Sequence, residues 1–463
     1  MAYKYFFFDF DGMLCDTYDH ITCAFLKTMK ETRGIDVNYK EAYDLFKTTF
    51  RETFKFYNVT DKEKEIFINY HEDINFKPEA TLYLPVKKIL KSIIESGGKS
   101  FIYTNRNASL YDYLDKFDIR KYFEDVILVA NKPDPTLLLD MINKYNLPLN
   151  ECVVVGDRSI DVDAAYNAHI DGILYDVDSR VFLHHATHVI KKINELYNFI
   201  DLPYTVRNNY HTHTCRCGHA IGSDEEYIIK AIEAGYQTIG ISDHIMIPDL
   251  NRNEEYFDSI SLLKEKYKDQ IEVKIALEVE WYEGYINYYK KLLKEKKVDY
   301  LIFGNHGYLN ENQKSRSEEI SFINDFDEYP EDYYLSTYYK CLEKAVKSGL
   351  FKYICHPDCF LKGYKKWDDK AIELTRKIAK LLSEYDVYAE LSGSGVRSKK
   401  TDNEGNPWYP YEKFFEILKQ YDIKFVIGCD AHSPSQIDDF AVKFICDMAK
   451  RLQLNVVYEI NDL

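Results

Sequence analysis

No apolar run in the chain approaches the ~20 residues that a membrane span needs, so we predict no membrane association. The apolar N-terminal segment ends at once at Asp9 and Asp11, unlike the core of a secretory signal. Basic residues are in the minority: 60 Lys and Arg stand against 76 Asp and Glu, which gives a net charge of −16. Without a basic stripe, this balance argues against a nucleic-acid partner.

The ten cysteines show no spacing typical of a small disulfide framework, so we expect reduced thiols and a cytoplasmic location. With 46% apolar and 29% charged residues, the composition is that of a soluble globular protein. A length of 463 residues is too great for one ordinary core. No Gly/Ser-rich linker is present, and we predict domains at residues 1–200 and 207–463, joined by a brief linker at 201–206.

Residues 1–200 alternate strand-like and helical segments, which is typical of a parallel α/β sheet. The strand-like segments are KYFFFDF, SFIYT, DVILVA, CVVVGD and ILYDV. The helical stretch between the first two is too long for a simple crossover. We therefore predict that residues from about 16 to 78 form an inserted cap of several helices.

Residues able to carry phosphoryl-transfer chemistry follow the strands of this region. Asp9 and Asp11 are two residues apart, so both carboxylates can address one site, and a cation such as Mg²⁺ would relieve their repulsion. A hydroxyl, a positive charge and further acids come at later strand ends: Thr104, Lys132, Asp157 and Asp161. This is the inventory for phosphoryl transfer through an aspartyl-phosphate.

In sequence order these residues resemble the four motifs of the haloacid dehalogenase superfamily, over all of residues 1–200. The resemblance implies a Rossmann-like domain in which Asp9 is the nucleophile. Asp11 would protonate the leaving group and then activate water, while Thr104 and Lys132 would hold the phosphoryl group. The Mg²⁺ site would comprise Asp9, Asp11 and Asp157, with Asp161 near it. The cap resembles that of the phosphoglycolate-phosphatase-like branch, and Met13 stands where the family usually has threonine.

Residues 207–463 contain seven apolar runs separated by helical stretches, which predicts an α/β barrel one repeat short of the eight-fold form. All seven histidines of this region lie where metal ligands would be wanted: His211, His213, His219, His244, His306, His356 and His432. Glu278 closes the run VKIALE, and Asp430 precedes His432 by two residues. Active sites of such barrels lie at the strand exits, so this pattern predicts an enzyme.

The number of ligands requires more than one metal, since each ion takes four or five. Imidazole suits Zn, Fe, Mn or Ni, so ligand type alone leaves the metal open. A carboxylate such as Glu278 can bridge two ions through its two oxygens. Clustered cations would lower the pKa of a bound water and neutralise a phosphate's charge.

The segments HTH, CGHA, SDH, ALEVE, GNH, CHPD and GCDAH resemble, in this order, the polymerase-and-histidinol-phosphatase (PHP) superfamily. Within it, IGISDHIMIP, LEVEWYEGY and AELSGSGVR are similar to the histidinol-phosphatase branch, although Ala276 replaces a usual glycine. The resemblance implies a distorted (β/α)7 barrel holding three divalent transition metals, Zn, Fe or Mn. The three implied ligand sets are His211, His213, Glu278 and Asp430; Glu278, His306 and His356; and His219, His244 and His432.

The expected reaction is hydrolysis of a phosphomonoester, L-histidinol phosphate, with Asp430 counted as a catalytic residue as well as a ligand. Arg397 is a candidate phosphate ligand, because arginine can grip phosphate through two donors. The partners would be small phosphorylated metabolites; the oligomeric state stays open. The alternative is a phosphoesterase for another phosphate ester or a nucleotide, with the N-terminal domain as a regulatory binding module.

Several further side chains invite a functional interpretation. Glu390 is a weaker candidate for a substrate ligand, and Asp243 and Asp358 either orient the adjacent histidines or are solvated turn acids. We expect the cysteines of Cys215-Arg216-Cys217 to pack or face solvent rather than bind metal. An amphipathic stretch is predicted to place three histidines on an exposed helix face: His184, His185 and His188.

Overall fold

The structure is a computed structural model, and it describes residues 2–201, 207–247, 249–309, 320–323 and 329–460. The chain divides into two compact units, Met1–Pro203 and Tyr204–Leu463. Apart from Asp201, the predicted linker lies outside the described residues. Among the described residues, no helix is long and apolar enough to cross a membrane.

The first unit contains a six-stranded parallel sheet in the order β5-β4-β1-β6-β7-β8 and a two-stranded antiparallel ribbon, β2-β3. The strands are β1 Tyr5–Phe8, β2 Cys15–Asp16, β3 Thr81–Leu82, β4 Lys99–Tyr103, β5 Phe123–Ile127, β6 Cys152–Gly156, β7 Asp171–Tyr175 and β8 His188–Ile190. The predicted Rossmann-like sheet is thus confirmed, with one strand more than the sequence indicated.

Both faces of this sheet are buried, and the side-chain alternation of β1 shows why. Phe6 and Phe8 point to one face and join a core with Val153 and Val155 of β6. Phe7, between them, packs with Val154 in the core on the other face. Continuous apolar runs are typical of such doubly covered strands.

Within residues 2–201, eight helices accompany this sheet: α1 Tyr18–Arg33, α2 Tyr39–Phe46, α3 Phe50–Phe56, α4 Asp61–Glu72, α5 Val86–Glu95, α6 Leu110–Lys116, α7 Thr136–Lys144 and α8 Ser159–Asn167. The first four form the predicted cap around their own cluster of aromatic side chains, which includes Phe25, Phe46 and Phe67. The ribbon β2-β3 flanks the cap in sequence, because one strand precedes it and the other follows it.

The prediction for the histidines near residue 185 is wrong. His188 begins β8, the edge strand of the sheet, and His184 and His185 precede it in irregular backbone. His188 also lies 3.1 Å from the Tyr3 hydroxyl, measured from Nε2, and is half-buried. Periodicity alone could not separate a short edge strand from a helix here.

The second unit is a nearly closed parallel barrel of seven strands in the order β16-β15-β14-β12-β11-β10-β9, with β13 antiparallel to β12. The strands are β9 Asn208–Asn209, β10 Thr238–Ile241, β11 Glu272–Tyr282, β12 Tyr300–Leu309, β13 Ile320–Ser321, β14 Tyr353–Cys355, β15 Tyr388–Ser392 and β16 Phe425–Gly428. Beyond the first and last strands, backbone hydrogen bonds join Asp430 N to His211 O (3.0 Å) and His213 N to Ala431 O (2.9 Å). These bonds bring the two ends of the sheet together, and the predicted seven-stranded barrel is confirmed.

The described residues of this unit form nine helices: α9 Asp224–Glu233, α10 Asn251–Tyr267, α11 Ile286–Lys294, α12 Glu331–Ser348, α13 Phe360–Tyr364, α14 Asp369–Glu384, α15 Ser394–Arg397, α16 Glu412–Leu418 and α17 Phe440–Leu452. The strands enclose a core that includes Ala276, Ile302 and Tyr353. Tyr300 crosses this core and donates a hydrogen bond to the Tyr210 carbonyl at 2.6 Å. The interior is therefore filled, and chemistry is left to the strand exits.

Candidate active sites

The candidate site of the first unit lies at the carboxyl ends of three neighbouring strands. Asp9 directly follows β1, Thr104 follows β4 and Asp157 follows β6. Because parallel strands end at one edge of the sheet, these side chains converge there. Asp9 and Thr104 are buried, and the Asp157 side chain is only 9% exposed.

Lys132 links two of the predicted acids. Its Nζ donates to Asp9 Oδ1 at 2.8 Å and to Asp161 Oδ1 at 2.7 Å, and all three side chains are fully buried. Burial raises the pKa of Asp9, and the charge of Lys132 opposes that rise only in part. Asp161 also accepts from the backbone N–H of Arg158 at 3.0 Å, so both of its oxygens have protein partners.

Asp157 lies in a crowded negative environment, where burial raises its pKa to about 7. Tyr18 donates to its Oδ2. Its Oδ1 is buried and accepts no hydrogen bond from the described residues. Such an orphaned oxygen beside Asp9 and Asp11 fits a hard divalent cation, which takes oxygen ligands.

Sequence reasoning missed two arginines of this site. Arg106 grips Asp11 through Nε (3.2 Å to Oδ2) and Nη2 (2.8 Å to Oδ1). Although burial would raise the pKa of Asp11, the charge and hydrogen bonds of Arg106 lower it well below its usual range. Arg158 Nη2 lies 3.4 Å from Asp9 Oδ2. Both arginines lie within two residues of predicted motif residues, which was the only signal available.

The candidate site of the barrel gathers the predicted ligands at the strand exits. They come from the segments after β9, β10, β14 and β16, and from within β11 and β12: His211, His213, His219, His244, Glu278, His306, His356, Asp430 and His432. Several triplets among them, such as His211, His213 and Asp430, hold their ligand atoms within 4.8 Å of one another.

Glu278 divides its two oxygens between two groups of imidazoles. Its Oε2 lies 3.4 Å from His211 Nε2, 3.2 Å from His213 Nε2 and 3.3 Å from His244 Nδ1. Its Oε1 lies 3.1 Å from His356 Nε2 and 3.6 Å from His306 Nε2. A carboxylate in this position can bridge two cations.

Asp430 forms the centre of a second group of contacts. Its Oδ1 lies 3.7 Å from His211 Nε2, 3.6 Å from His213 Nε2 and 3.5 Å from His432 Nδ1. Burial would raise the pKa of Asp430, but the positive charge of neighbouring histidines, His211 first, outweighs it and holds that pKa well below its usual range.

Three pairs of imidazole nitrogens face each other closely. The Nε2 atoms are 3.0 Å apart for His211 and His213, and 3.2 Å apart for His306 and His356. They are 3.1 Å apart for His219 and His432. Burial lowers the pKa of His213 to about 3, so this imidazole stays neutral, the form that binds metal. Converging imidazole nitrogens with a shared carboxylate fit a cluster of divalent ions.

Two further glutamates, both buried, contact the imidazoles on the side away from Glu278 and Asp430. Glu390 Oε1 lies 2.8 Å from His211 Nδ1, and its Oε2 accepts from the backbone N–H of His356 at 3.1 Å. Glu280 Oε1 lies 3.2 Å from His306 Nδ1. Sequence reasoning missed Glu280, although its spacing of two from Glu278 places both on one face of β11.

Glycines make room for two of these carboxylates. A Cβ on Gly304 would lie 2.1 Å from Glu278 Oε1. One on Gly428 would lie 1.8 Å from Glu390 Oε1. Both distances are far inside contact, so a larger residue at either position would push the carboxylate out of its place.

Arg397, predicted to bind phosphate, lines the site but has protein partners for its guanidinium. It pairs with Asp439 through Nε (2.8 Å) and Nη2 (3.0 Å). Its Nη1 donates to the carbonyls of Cys429 (2.6 Å) and Asp430 (3.2 Å), and Nη2 also donates to Gln436 O (2.9 Å). These bonds brace the backbone that carries Asp430.

The remaining candidates have different surroundings. Asp243 and Asp358 are buried rather than solvated. Asp243 accepts two hydrogen bonds from Thr214 (2.6 Å each), and Asp358 accepts from the backbone N–H of Tyr411 (2.7 Å). Cys217 Sγ lies 3.9 Å from His219 Nε2, closer to the ligands than we expected.

Each site opens into a cavity of its own unit. The barrel cavity measures about 530 Å³ and includes Lys362 and Tyr409 beside the imidazoles. The cavity of the first unit measures about 660 Å³ and lies between cap residues and the strand ends. Both volumes suit small-molecule ligands.

With this geometry, comparisons with known proteins define the class of the molecule: it is a hydrolase built from two hydrolase domains. Residues 6–175 match the family model of haloacid dehalogenase-like hydrolases, and residues 209–394 match that of the PHP domain. The chain therefore joins a haloacid dehalogenase-like domain to a PHP domain, as its motifs predicted. Both families are metal-dependent.

Among similar proteins, the probable histidinol-phosphatase of Deinococcus radiodurans is 26% identical over 253 residues, which cover 52% of this chain and 93% of that protein. The phosphoglycolate phosphatase of Vibrio vulnificus strain YJ016 is 30% identical over 110 residues, covering 23% of this chain and 48% of that protein. A crystal structure of histidinol phosphate phosphatase from Lactococcus lactis has 16% identity and a TM-score of 0.42. The match covers 54% of this chain and 95% of the Lactococcus lactis protein.

Proposed function

We propose that the barrel, residues 207–463, hydrolyses L-histidinol phosphate to L-histidinol and phosphate, a reaction of histidine biosynthesis. The domain of residues 1–200 is a Mg²⁺-dependent phosphatase for another small phosphomonoester. The observation that carries the first proposal is Glu278, whose two oxygens face two groups of imidazoles at 3.1–3.6 Å.

Three metal ions would be held at the barrel site. One would take His211, His213, Glu278 and Asp430. A second would share Glu278 with His306 and His356, and the third would take His219, His244 and His432. When bound, such ions lower the pKa of a coordinated water and offset the charge of a phosphate.

The chain's own residues supply orientation around these ligands. Glu390 fixes the ring of His211, and Glu280 fixes that of His306, because each contacts the Nδ1 atom. Arg397 holds the carbonyls on either side of the Asp430 nitrogen and so positions that carboxylate. Lys362 and Tyr409 line the cavity and provide donors for the oxygens of a phosphate.

The choice of histidinol phosphate is supported by the Deinococcus relative, which aligns over 93% of its length. The cavity of about 530 Å³ accommodates a molecule of this size.

All ten cysteines are free thiols, in keeping with the cytoplasmic location that we propose.

In the first domain, the Asp9 carboxylate would attack phosphorus, and the bond from phosphorus to the leaving oxygen would break. Asp11 would give its proton to that oxygen. In the second half, Asp11 would take a proton from water as the water oxygen attacks the aspartyl-phosphate, which releases phosphate and restores Asp9. Arg106 binds Asp11 and stabilises its ionised form, which the second half of the reaction needs. In the first half, Asp11 donates a proton, and this requires a looser contact between Asp11 and Arg106.

The test is phosphate release from L-histidinol phosphate by the parent, Asp9→Asn and His306→Ala proteins, each supplied with Mg²⁺ and Mn²⁺ or Zn²⁺. We expect His306→Ala to lose at least about 100-fold in kcat/KM, because it removes a ligand of the second metal. Asp9→Asn is expected to match the parent.

Loss only in Asp9→Asn would reverse the assignment of the domains. If the parent does not hydrolyse L-histidinol phosphate but does hydrolyse another phosphate ester or a nucleotide, that compound becomes the proposed substrate of the barrel. If no phosphomonoester in a broad panel responds to Asp9→Asn, the N-terminal domain is a binding module.

A further inference from the structure

The cavity of the first unit is lined by apolar side chains as well as by the residues predicted to hold the phosphoryl group. Thr104 and Lys132 belong to the latter group. The apolar side chains come from several separate elements. They are Phe50 of α3, Ile68 of α4, Val129 and Pro133 of the segment between β5 and α7, and Ile160 of α8. The cap and the core thus both contribute apolar groups to one cavity.

Two of these apolar side chains are largely open to solvent. Ile68 of the cap is 41% exposed, and Val129 of the core is 62% exposed. Single exposed apolar side chains are common on protein surfaces. Here, however, exposed side chains from two elements line the same cavity, and each leaves apolar surface in contact with water. A ligand with an apolar group would cover that surface.

Val129 is held at the cavity in a backbone conformation that its side chain disfavours. Its φ is +48°, in the left-handed region, where a β-branched residue is rare. Two hydrogen bonds fix this segment to the loop after β4: Val129 N–H donates to the Arg106 carbonyl (3.1 Å), and Ala130 N–H donates to the Thr104 carbonyl (2.9 Å). Strain of this kind persists only where the surrounding structure enforces it, often at functional sites. The fold therefore places an apolar side chain beside the loop of Thr104 at a cost in free energy.

The charged groups of the cavity near the cap are already engaged or neutral. Two nitrogens of Arg106 bind Asp11 at 2.8 and 3.2 Å. Glu72 accepts a hydrogen bond from Asn107 Nδ2. Burial lowers the pKa of His71 well below its usual value, so its imidazole is neutral and offers no charge to an anion.

The exposed edge of the cavity has no net charge of one sign. Arg51 and Glu52 are adjacent residues of α3, and both are exposed where they line the cavity. Their opposite charges offset each other, so this edge does not favour an anionic or a cationic ligand. The apolar surface is therefore the feature that distinguishes this part of the cavity.

We propose that the domain of residues 1–200 acts on the phosphomonoester of an apolar alcohol, and that the hydrocarbon part of this leaving group lies against Ile68 and Val129. This inference rests on the proposed function of the domain, since it assumes that the phosphoryl group binds beside Asp9. Covering the two side chains removes apolar surface of both ligand and protein from water, which favours binding. The cavity of about 660 Å³ holds a small alcohol together with its phosphate.

The experiment compares two substrates of equal chain length on the Mg²⁺-loaded full chain, in a His306→Ala background that removes the barrel activity. Hexyl phosphate is the apolar member, and 2-(2-hydroxyethoxy)ethyl phosphate, in which oxygens replace two of the chain carbons, is the polar member. Because each buried methylene favours binding about fourfold, we expect kcat/KM to favour hexyl phosphate by about 10-fold or more. The polar member has the more acidic leaving alcohol, so intrinsic reactivity works against this result.

Substitutions in the apolar wall test where the hydrocarbon lies. Val129→Thr keeps the volume and the branched Cβ but replaces a methyl with a hydroxyl, and Ile68→Gln makes the cap side polar. Each should lower the ratio of kcat/KM, apolar over polar substrate, by about threefold or more. Ile94→Gln on α5 and Val189→Thr on β8 are the matched controls, because both side chains are about half exposed and neither lines the cavity. Both controls should leave the ratio unchanged.

Equal kcat/KM for the two substrates without further substitution overturns the proposal. So does a higher kcat/KM for 2-phosphoglycolate, whose leaving group is anionic, than for hexyl phosphate. A ratio that neither Val129→Thr nor Ile68→Gln lowers also overturns it. Hydrolysis that survives Asp9→Asn in the same background counts instead against the proposed function. If neither substrate is turned over, calorimetric binding of both to the Asp9→Asn protein decides, and equal affinities refute the apolar site.

Discussion

Two buried glutamates fix the orientation of two imidazoles in the barrel. Glu390 contacts His211 at Nδ1, which leaves Nε2 directed at Glu278 and Asp430. Glu280 contacts Nδ1 of His306 in the same way. A carboxylate behind a histidine sets its tautomer and raises its strength as a ligand.

Replacing Glu390 with glutamine should therefore weaken metal binding by about 10–100-fold. The amide keeps the volume of the side chain but loses the charge that polarises His211. Affinity is measured by competition with a chromophoric chelator and by metal content after dialysis. Glu384→Gln, at the exposed end of α14, is the matched control.

A Glu390→Gln protein that binds metal like the parent would show that Glu390 has only a packing role. Thermal unfolding of the metal-free proteins separates the two causes. Loss of metal affinity without a change in the melting temperature of the metal-free form indicates positioning. A large fall in that temperature indicates packing.

The placement of the histidines could be predicted because five of the seven follow strand-like runs, and parallel strands bring their ends together. The partners of Arg397 could not, because Asp439 lies 42 residues further along the chain and only the fold brings it near. The contact between Arg106 and Asp11 could not be predicted either, because no sequence pattern indicates that the loop after Thr104 places an arginine beside Asp11. Long-range pairings of this kind depend on loop conformation rather than on residue pattern.

At the scale of elements, the cap is held together by a contact between its first and last helices. Glu63, in the first turn of α4, forms a capping box with Thr60. It also accepts from Arg33 of α1 at 2.6 Å (Nε to Oε1) and 2.7 Å (Nη2 to Oε2). The hydrogen bonds of Arg33, together with the Thr60 contacts, outweigh the opposing effect of burial and lower the pKa of Glu63 well below its usual range.

We predict that Glu63→Gln makes the amides of α4 exchange hydrogen about 10-fold faster at pH 7, because a charge-assisted bond and a helix cap are weakened together. Because the folded pKa is lowered, the parent gains this stability above the ordinary glutamate pKa and loses it as pH falls. The difference from the parent should therefore shrink under acid conditions.

The exchange rates are measured by mass spectrometry on peptides that cover residues 61–72 and are corrected for intrinsic rates. Glu65→Gln, an exposed change in the same helix, should exchange like the parent. An undiminished difference at low pH would contradict the electrostatic explanation.

The elements themselves were predicted unevenly. The central strands of both sheets could be located because they are continuous apolar runs buried on two sides. The edge strand β8 has only three residues and one buried apolar side chain, Ile190, so it was taken for part of a helix. Edge strands carry a weak sequence signal because little of their surface is buried.

At the scale of the whole molecule, one chain contains two sites of different ligand chemistry. The N-terminal site offers carboxylate oxygens from Asp9, Asp11 and Asp157. The barrel offers mainly imidazole nitrogens. Oxygen ligands suit Mg²⁺, whereas imidazole suits transition metals.

This difference predicts that the two activities can be restored separately after the metals are removed with a strong chelator. Mg²⁺ alone should restore hydrolysis of a generic phosphomonoester by the His306→Ala protein, which reports on the first site. It should leave the Asp9→Asn protein, which reports on the barrel, inactive toward L-histidinol phosphate. Mn²⁺ or Zn²⁺ should restore the barrel, with close to three ions bound by titration. Recovery of the barrel with Mg²⁺ alone, or saturation at one ion, would contradict the imidazole-rich trinuclear site, because a cation that prefers oxygen gains little from seven imidazoles.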